Sequence, residues 1–283
     1  IMDYQIQDFL GLIGSDVNKS LSPFIHSTVY QKRGQKAYYK AYSLSKKEAL
    51  TAFKALAIFS FKGINITNPY KELAFKNVDI LSKSAEEIGA INTIKVMEDD
   101  KLKGYNTDFL AVKEILKDKY DSLKEFPPVL LLGAGGAARA VLYALLDLGF
   151  KNLTIANRTK AKAVNLIAEF SKYKQEKANI QVIEWAEADI ARAVVDSEII
   201  IDATGLSWSN KTFPGFNRIS SDNFIFDLSY PDFKSKLQIR AKKVEADYID
   251  GRKMLLYQAR EADQIWFPEY NDKERKKLFD LEL

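Results

Sequence analysis

The sequence predicts an α/β fold in two domains, and three observations carry that expectation. The chain has 283 residues, enough for two domains at a prior of roughly 150 residues each. Short apolar runs alternate with segments whose apolar residues fall three and four apart, the pattern of strands followed by helices. The only glycine cluster, Gly133-Ala134-Gly135-Gly136-Ala137, sits between an apolar strand at 128–132 and a helical pattern through Val141, Leu142, Leu145 and Leu148.

Composition narrows the function classes. Hydrophobic residues make up 47% and charged residues 28%, as in an ordinary globular chain, with no low-complexity run or internal repeat. The net charge of +4 comes from lysines interleaved with nearly as many carboxylates, so no basic stripe exists to track a phosphodiester backbone. Nucleic acid is therefore not an expected partner. A membrane is not expected either, because Arg139, Asp147 and the glycines interrupt the most apolar stretch, which then falls short of a span of about 20 residues. The absence of cysteine excludes disulfides, thiolate nucleophiles, cysteine-ligated zinc and iron–sulfur clusters. With no recognisable secretion signal, the expected compartment is the cytoplasm. A histidine-based metal site or a Ser-His-Asp triad would have to be built around His26 alone, so no metal is expected and His26 reads as packed or solvated.

Taken in order, residues 9–13 read as a first strand. Ser20-Leu21-Ser22-Pro23 precedes a helical pattern in Phe24, Ile25 and Val29. Serines two apart on an extended segment present both hydroxyls to one side, yet Ser22 before Pro23 is equally an N-cap with proline at the first helical position. A strand at 37–42 and a helix at 46–58 follow. In Gly63-Ile64-Asn65-Ile66-Thr67-Asn68-Pro69-Tyr70-Lys71 the isoleucines share one face while Asn65 and Thr67 share the other. Pro69 is expected to begin a helix with Lys71 in its first turn, where the helix dipole disfavours a cation. Something other than helix stability selects it, or it is merely an exposed lysine.

A strand at 89–96 puts Asn92 on the face of Ile94 and Val96, where a polar amide needs partners. After a turn at Glu98-Asp99-Asp100 comes a return strand at 102–105, then Asn106-Thr107-Asp108 before a helix through Leu110, Ile115 and Leu116. Thr107 or Asp108 can cap that helix, whose dipole also favours an ionised Asp108 as the partner of a nearby ammonium.

The glycine loop has the form of a nucleotide-binding strand, turn and helix, although the same turn also serves folds with no ligand. Gly133 permits the turn, Gly135 lets backbone amides approach a pyrophosphate, and Gly136 or Ala137 keeps the helix close to the sheet. A strand at 153–156 then ends in Asn157-Arg158-Thr159. About 20 residues past the glycines such folds place an acid for the ribose of NAD or an arginine for the extra phosphate of NADP. No acid occurs here, and Arg158 has the planar fork that grips phosphate, so the cofactor reads as NADP. Strands at 180–183, 198–202 and 224–228 continue a parallel sheet, with Ala203-Thr204-Gly205 and Ser229-Tyr230-Pro231 at their carboxyl ends. A helix at 254–266 carries Gln258, and the lysine- and glutamate-rich tail reads as a solvated helix.

In order and over essentially the whole chain, these motifs resemble the shikimate dehydrogenase family, down to Met254-Leu255-Leu256-Tyr257-Gln258. The resemblance implies reversible NADP-linked reduction of 3-dehydroshikimate to shikimate, a step of aromatic amino-acid precursor synthesis. It implies that Lys71 and Asp108 form the catalytic pair. Ser20, Ser22, Asn65, Thr67, Asn92, Asp108 and Gln258 would hold the substrate, with Tyr230 near substrate and nicotinamide. Gly133, Ala134, Gly135, Gly136, Ala137, Asn157, Arg158, Thr159, Thr204 and Gly251 would meet the cofactor. The implied architecture is an N-terminal substrate-binding and catalytic domain at 1–108, completed by the C-terminal helical segment 250–283. A Rossmann-type NADP-binding domain occupies 109–249, with a cleft between the two, and the protein would be a monomer or homodimer.

The chain departs from the family pattern in several places. Lys19 stands where histidine is usual, Asn68 replaces an apolar residue, and Phe109 replaces a smaller one. The run Asp202-Ala203-Thr204-Gly205-Leu206-Ser207-Trp208 lacks the usual asparagine and the proline-x-glycine-methionine ending of the loop that lines the nicotinamide. Other readings stay open. A quinate or dual quinate/shikimate dehydrogenase differs mainly at the carboxylate and ring-hydroxyl contacts, where Ser20 and Ser22 favour shikimate. A catalytically inactive NADP-binding sensor would keep the fold, against which stand Lys71 and Asp108. A methylenetetrahydrofolate dehydrogenase also has two domains and a lysine, but the serine pair and Gln258 do not suit a pterin.

Overall fold

The computed structural model describes residues 8–120, 125–170 and 178–283. They fall into two compact units, one made of the chain up to Ala111 together with Leu255–Leu283, the other of Val112–Met254.

The first unit opens with β1 (Asp8–Gly14), α1 (Ser22–Arg33), β2 (Ala37–Ser43), α2 (Lys46–Ala55), β3 (Gly63–Ile66) and α3 (Lys71–Phe75). It continues with β4 (Ile80–Leu81), α4 (Lys83–Ile88), β5 (Thr93–Val96), β6 (Leu102–Tyr105) and the start of α5 (Asp108–Tyr120). Its sheet has the order β2-β1-β3-β5-β6-β4. β1 runs parallel to β2 and β3, β5 antiparallel to β3 and β6, and β4 parallel to β6. Local chemistry sets the helix ends. Ser45 and Glu48 form a reciprocal capping box at α2, and Gly34 closes α1 in the left-handed region at φ 67°. All four β3 residues are buried, so its alternation separates two covered faces rather than an inside and an outside. Ile64 and Ile66 join an apolar cluster with Ile13, Phe53, Ile91 and Ile94, while the Asn65 amide faces Tyr39, Asn92 and Thr93.

Several local expectations need correcting. The helix after β3 begins at Lys71, because Tyr70 closes a turn back to the Thr67 carbonyl. The predicted strand at 89–96 starts only at Thr93, since Gly89 ends α4 in the left-handed region. The predicted helix at 46–58 stops at Ala55.

The second unit holds the rest of α5, then β7 (Val129–Leu132), α6 (Gly136–Leu148), β8 (Asn152–Ala156), α7 (Lys160–Phe170) and β9 (Asn179–Ile183). After α8 (Glu187–Asp196) come β10 (Ile199–Asp202), β11 (Phe224–Asp227), α9 (Lys236–Lys243), β12 (Asp247–Ile249) and the first residues of α10 (Gly251–Trp266). The sheet order is β12-β11-β10-β7-β8-β9, all parallel. This is the doubly wound dinucleotide-binding order, with its switch point beside β7. Every residue of β7, β10 and β11 is buried, as parallel strands covered on both faces require.

The chain returns to the first unit within α10 and ends after α11 (Asp272–Leu278). Trp266 packs fully buried, its indole N–H donating to the Ile94 carbonyl at 3.0 Å. Gly63 permits this approach, because a Cβ there would lie 2.1 Å from the indole nitrogen. The tail helix is not merely solvated. Arg275 is buried and donates to Asp263 at 2.9 Å and to the Phe267 carbonyl at 2.7 Å, while Arg33 grips the same Asp263 through both terminal nitrogens at 3.1 and 2.8 Å. A carboxylate this deeply buried requires such opposite charge and hydrogen bonding. Among the described residues no helix is long and apolar enough to cross a membrane.

Candidate active site

Lys71, the first residue of α3, and Asp108, the first of α5, meet in the first unit with Lys71 Nζ 2.5 Å from Asp108 Oδ2. Both side chains are largely withdrawn from solvent. The other carboxylate oxygen, Oδ1, accepts from Asn92 Nδ2 at 2.9 Å. Asn92 also donates from Nδ2 to Thr107 Oγ1 at 2.9 Å and to Gln258 Oε1 at 3.3 Å. Its own carbonyl accepts the Thr107 amide at 2.7 Å and the Thr93 hydroxyl at 3.1 Å. Gln258 in turn donates to the Leu255 carbonyl at 2.9 Å. The polar amide expected beside β5 therefore has its partners, and they tie the ends of β5, β6 and α5 to the middle of α10.

Two serines lie on the segment before α1. Ser22 is the first helical residue, Leu21 occupies the cap position, and no side chain caps the helix. The capping reading of Ser22 thus fails. Ser20 Oγ instead donates to Ser22 Oγ at 3.3 Å and accepts the Ser22 amide at 3.2 Å. Asn65 is more committed than a ligand contact would suggest: its Oδ1 accepts the Tyr39 hydroxyl at 2.7 Å, and its Nδ2 donates to the Asn92 carbonyl at 3.2 Å and Thr93 Oγ1 at 3.0 Å. Thr67 stands just past β3, its amide bonded to the Ile13 carbonyl, against a glycine at 14 whose missing Cβ gives its methyl room.

Tyr39, Thr93 and Thr107 belong to this network without having been singled out as site residues. Their signal is a pairing across the sheet that one-dimensional periodicity does not contain. His26, fully buried, stacks on Tyr39 at 4.3 Å between ring centroids and lies 3.2 Å from the Tyr30 hydroxyl through Nδ1. Burial, and then the charge of Arg33, lower its pKa to about 3. It is a packed neutral imidazole.

In the second unit the turn after β7 has the features of an anion site. Gly133 takes φ 111°, and a Cβ there would sit 3.0 Å from the Ala203 carbonyl oxygen. Gly135, at the cap position of α6, has open space where its Cβ would be, and no side chain caps the helix. The first amides of α6, from Gly136 and Ala137, are thus left for another acceptor. At the end of the neighbouring β8, Asn157 donates to the Thr159 carbonyl at 2.8 Å and Arg158 is exposed. Among the described residues no ion pair engages Arg158.

Thr204 is turned inward, its hydroxyl donating to Asp202 Oδ1 at 2.5 Å. Gly251 opens α10 against β11: a Cβ would lie 2.2 Å from the Leu228 carbonyl oxygen and 3.1 Å from the Tyr230 ring. Tyr230 meets Trp208 edge to face at 4.7 Å.

Comparison with known proteins adds to this geometry. Residues 12–94 match the shikimate dehydrogenase substrate binding domain, and residues 114–248 match the shikimate / quinate 5-dehydrogenase domain. Shikimate dehydrogenase (NADP(+)) of Aquifex aeolicus is 36% identical over 258 residues, 90% of each chain. The crystal structure of a shikimate dehydrogenase from that organism superposes with a TM-score of 0.83 over 97% of this chain and 98% of that one, at 32% identity. The enzyme of Thermus thermophilus, solved in complex with NADP(H) and shikimate, gives a TM-score of 0.80 at 26% identity, covering 96% of this chain and 98% of that one. An N-terminal α/β unit with a lysine–aspartate pair, a doubly wound C-terminal unit and these likenesses agree: the chain belongs to the shikimate dehydrogenase family.

Proposed function

We propose that the protein catalyses the reversible NADP-linked reduction of 3-dehydroshikimate to shikimate, with Lys71 and Asp108 as its catalytic pair. The observation that carries this reading is the 2.5 Å contact between Lys71 Nζ and Asp108 Oδ2 in a largely dry setting. NADPH, held by the glycine turn and Arg158, would supply the hydride that adds to the ketone carbon. As that C–H bond forms, the carbonyl π pair moves to oxygen, and Lys71 delivers the proton that makes the alcohol. Asp108 keeps the ammonium charged and aimed, while Asn92 fixes the carboxylate from its other side. In the reverse direction neutral Lys71 takes the hydroxyl proton. No histidine or metal is needed for this exchange.

Ser20, Ser22, Asn65, Thr67, Asn92, Asp108 and Gln258 are assigned to the carboxylate and ring hydroxyls of the substrate, and Tyr230 to the region between ring and nicotinamide. Residues 133–137 would hold the pyrophosphate on the uncapped amides of α6, and Asn157, Arg158 and Thr159 the adenosine phosphate. The open space at Gly135 and the exposed, unengaged Arg158 suit such a ligand. Thr204 and Gly251 would contribute near the nicotinamide. The absence of cysteine suits work in a reducing cytoplasm.

Absorbance of the reduced nicotinamide, followed with shikimate or quinate and with NADP or NAD, tests the assignment. Shikimate with NADP is expected to give the highest kcat/KM. Equal or faster turnover of quinate would reassign the substrate, and no reduction with any pair would leave a cofactor-binding sensor.

A further inference from the structure

The nicotinamide-side loops of the second unit rest on two acids. Asp202 ends β10 and Asp227 ends β11, and the two are direct partners in the parallel register. Side chains paired in this way share a face on strands about 4.8 Å apart. Both are fully buried. Their donors are unequal. Asp202 Oδ1 accepts the Thr204 amide at 2.8 Å and the Thr204 hydroxyl at 2.5 Å, while Oδ2 receives no donor. Asp227 accepts the Ser229 amide at 2.9 Å on Oδ1 and the Tyr248 hydroxyl at 3.4 Å on Oδ2. The hydroxyls of Ser207 and Ser229 lie near it and favour its charged form.

Among the described residues the surroundings offer no countercharge. On β7 the partner of Asp202 is Leu132. β12 carries two titratable groups: Asp247, at its first residue, is paired with Lys119, and Tyr248 reaches Asp227, with Asp250 beyond the strand, where Arg252 is taken up by Asp250 and the Pro231 carbonyl. Among the described residues no cation pairs with Asp202 or Asp227. Two adjacent buried carboxyls without a cation do not both ionise. The bare Oδ2 of Asp202 is where a proton converts an unsatisfied acceptor into a donor.

We propose that Asp202 and Asp227 share one proton, resident on Asp202 Oδ2, and that this proton fixes the two loops that meet the nicotinamide end of the cofactor. Asp202 holds Thr204, whose hydroxyl accepts the Leu206 amide at 3.2 Å and so starts the 3₁₀ turn Leu206–Ser209 that carries Trp208. Asp227 holds the amide of Ser229, next to Tyr230, and the Trp208 and Tyr230 rings meet edge to face. Protonated, Asp202 presents the hydrogen-bonding outline of an amide. Deprotonated, it sets two anions side by side beneath both loops. Burial, and then Asp227, push the Asp202 carboxyl up to about 7, so the change falls in the neutral range. Asp202 is a positioning residue; only its functional readout rests on the cofactor proposed above.

The test has two arms. In the ligand-free protein, carbon-13 NMR of labelled aspartate carboxyls should show one group titrating near neutrality, absent from Asp202→Asn. Calorimetric titration with NADP across the neutral range should show the wild-type dissociation constant rising, relative to that of Asp202→Asn, toward about tenfold per pH unit above about 7. Titration of Asp202 in the ordinary carboxylate range, or a pH-independent ratio of the two constants, overturns the proposal. If the variant does not fold, the wild-type carboxyl titration decides alone. If NADP binds at no pH, the proposed function fails while the NMR arm still decides the shared proton.

Discussion

The two units bury aspartates in opposite ways. In the first, Asp108 faces an ammonium on one oxygen and an amide on the other, and Asp263 lies between two guanidinium groups. In the second, Asp202 and Asp227 face each other and a set of neutral donors. Burial of a charged carboxylate costs several kcal/mol unless opposite charge and hydrogen bonds offset it. The first unit supplies the charge, and the second keeps a proton. A group held by countercharge stays ionised and can aim a proton donor, whereas a group held by a proton makes its surroundings sensitive to pH.

Experiments can break or sharpen that contrast. The largest effect is expected for Lys71→Ala, which removes the proton donor and strands Asp108. Turnover in the shikimate assay should fall about 100- to 10,000-fold while NADPH binding, followed by fluorescence, stays near wild type. Undiminished turnover would remove Lys71 from the mechanism. Next comes Asp202→Asn, read as stability against pH by chemical denaturation. The folded-state pKa of Asp202 lies above its unfolded value, so the wild-type fold binds more protons and its stability falls as pH rises from about 4 through 7. The asparagine variant should match wild type in acid and exceed it above pH 7, by on the order of 4 kcal/mol at most if the shift is fully realised. A constant difference at all pH values would mean that Asp202 never carries the proton.

Arg158→Ala comes third. Loss of a charge-assisted phosphate contact is expected to weaken NADP by about 10- to 100-fold and leave NAD nearly unchanged, as measured by the KM for each. Equal losses for both cofactors would place Arg158 elsewhere than on the extra phosphate. The smallest effect is expected for Tyr39→Phe, which removes the 2.7 Å bond to Asn65 Oδ1. A neutral bond of this kind contributes about 1 kcal/mol, visible in thermal unfolding with a modest rise in the KM for shikimate.

Much of this was legible in the sequence because it is local. The glycine turn, the strands on either side of it and the placing of Lys71 and Asp108 at helix starts follow from period and punctuation, and the dipole marks Lys71 as out of place for helix stability. What escaped needs the third dimension. Asp202 and Asp227 are 25 positions apart and meet only when β10 and β11 align in register. Arg275 reads as one more charge in a polar tail until Asp263 closes on it. Ser22 satisfies the statistics of a helix cap, but it is the first helical residue and Leu21 takes the cap position, so the helix starts on backbone geometry alone. Short elements such as β4, which covers Ile80–Leu81, give too few residues for any period to register.

The Asn92 amide nitrogen has two hydrogens, yet three oxygens stand within its reach, on Thr107, Asp108 and Gln258. At any instant one of the three goes without. The longest of these contacts, at 3.3 Å, belongs to Gln258, whose carbonyl is thus the least firmly held of the three acceptors. An incoming hydroxyl would complete the set rather than compete for it, and the resting enzyme gives up little when the newcomer docks.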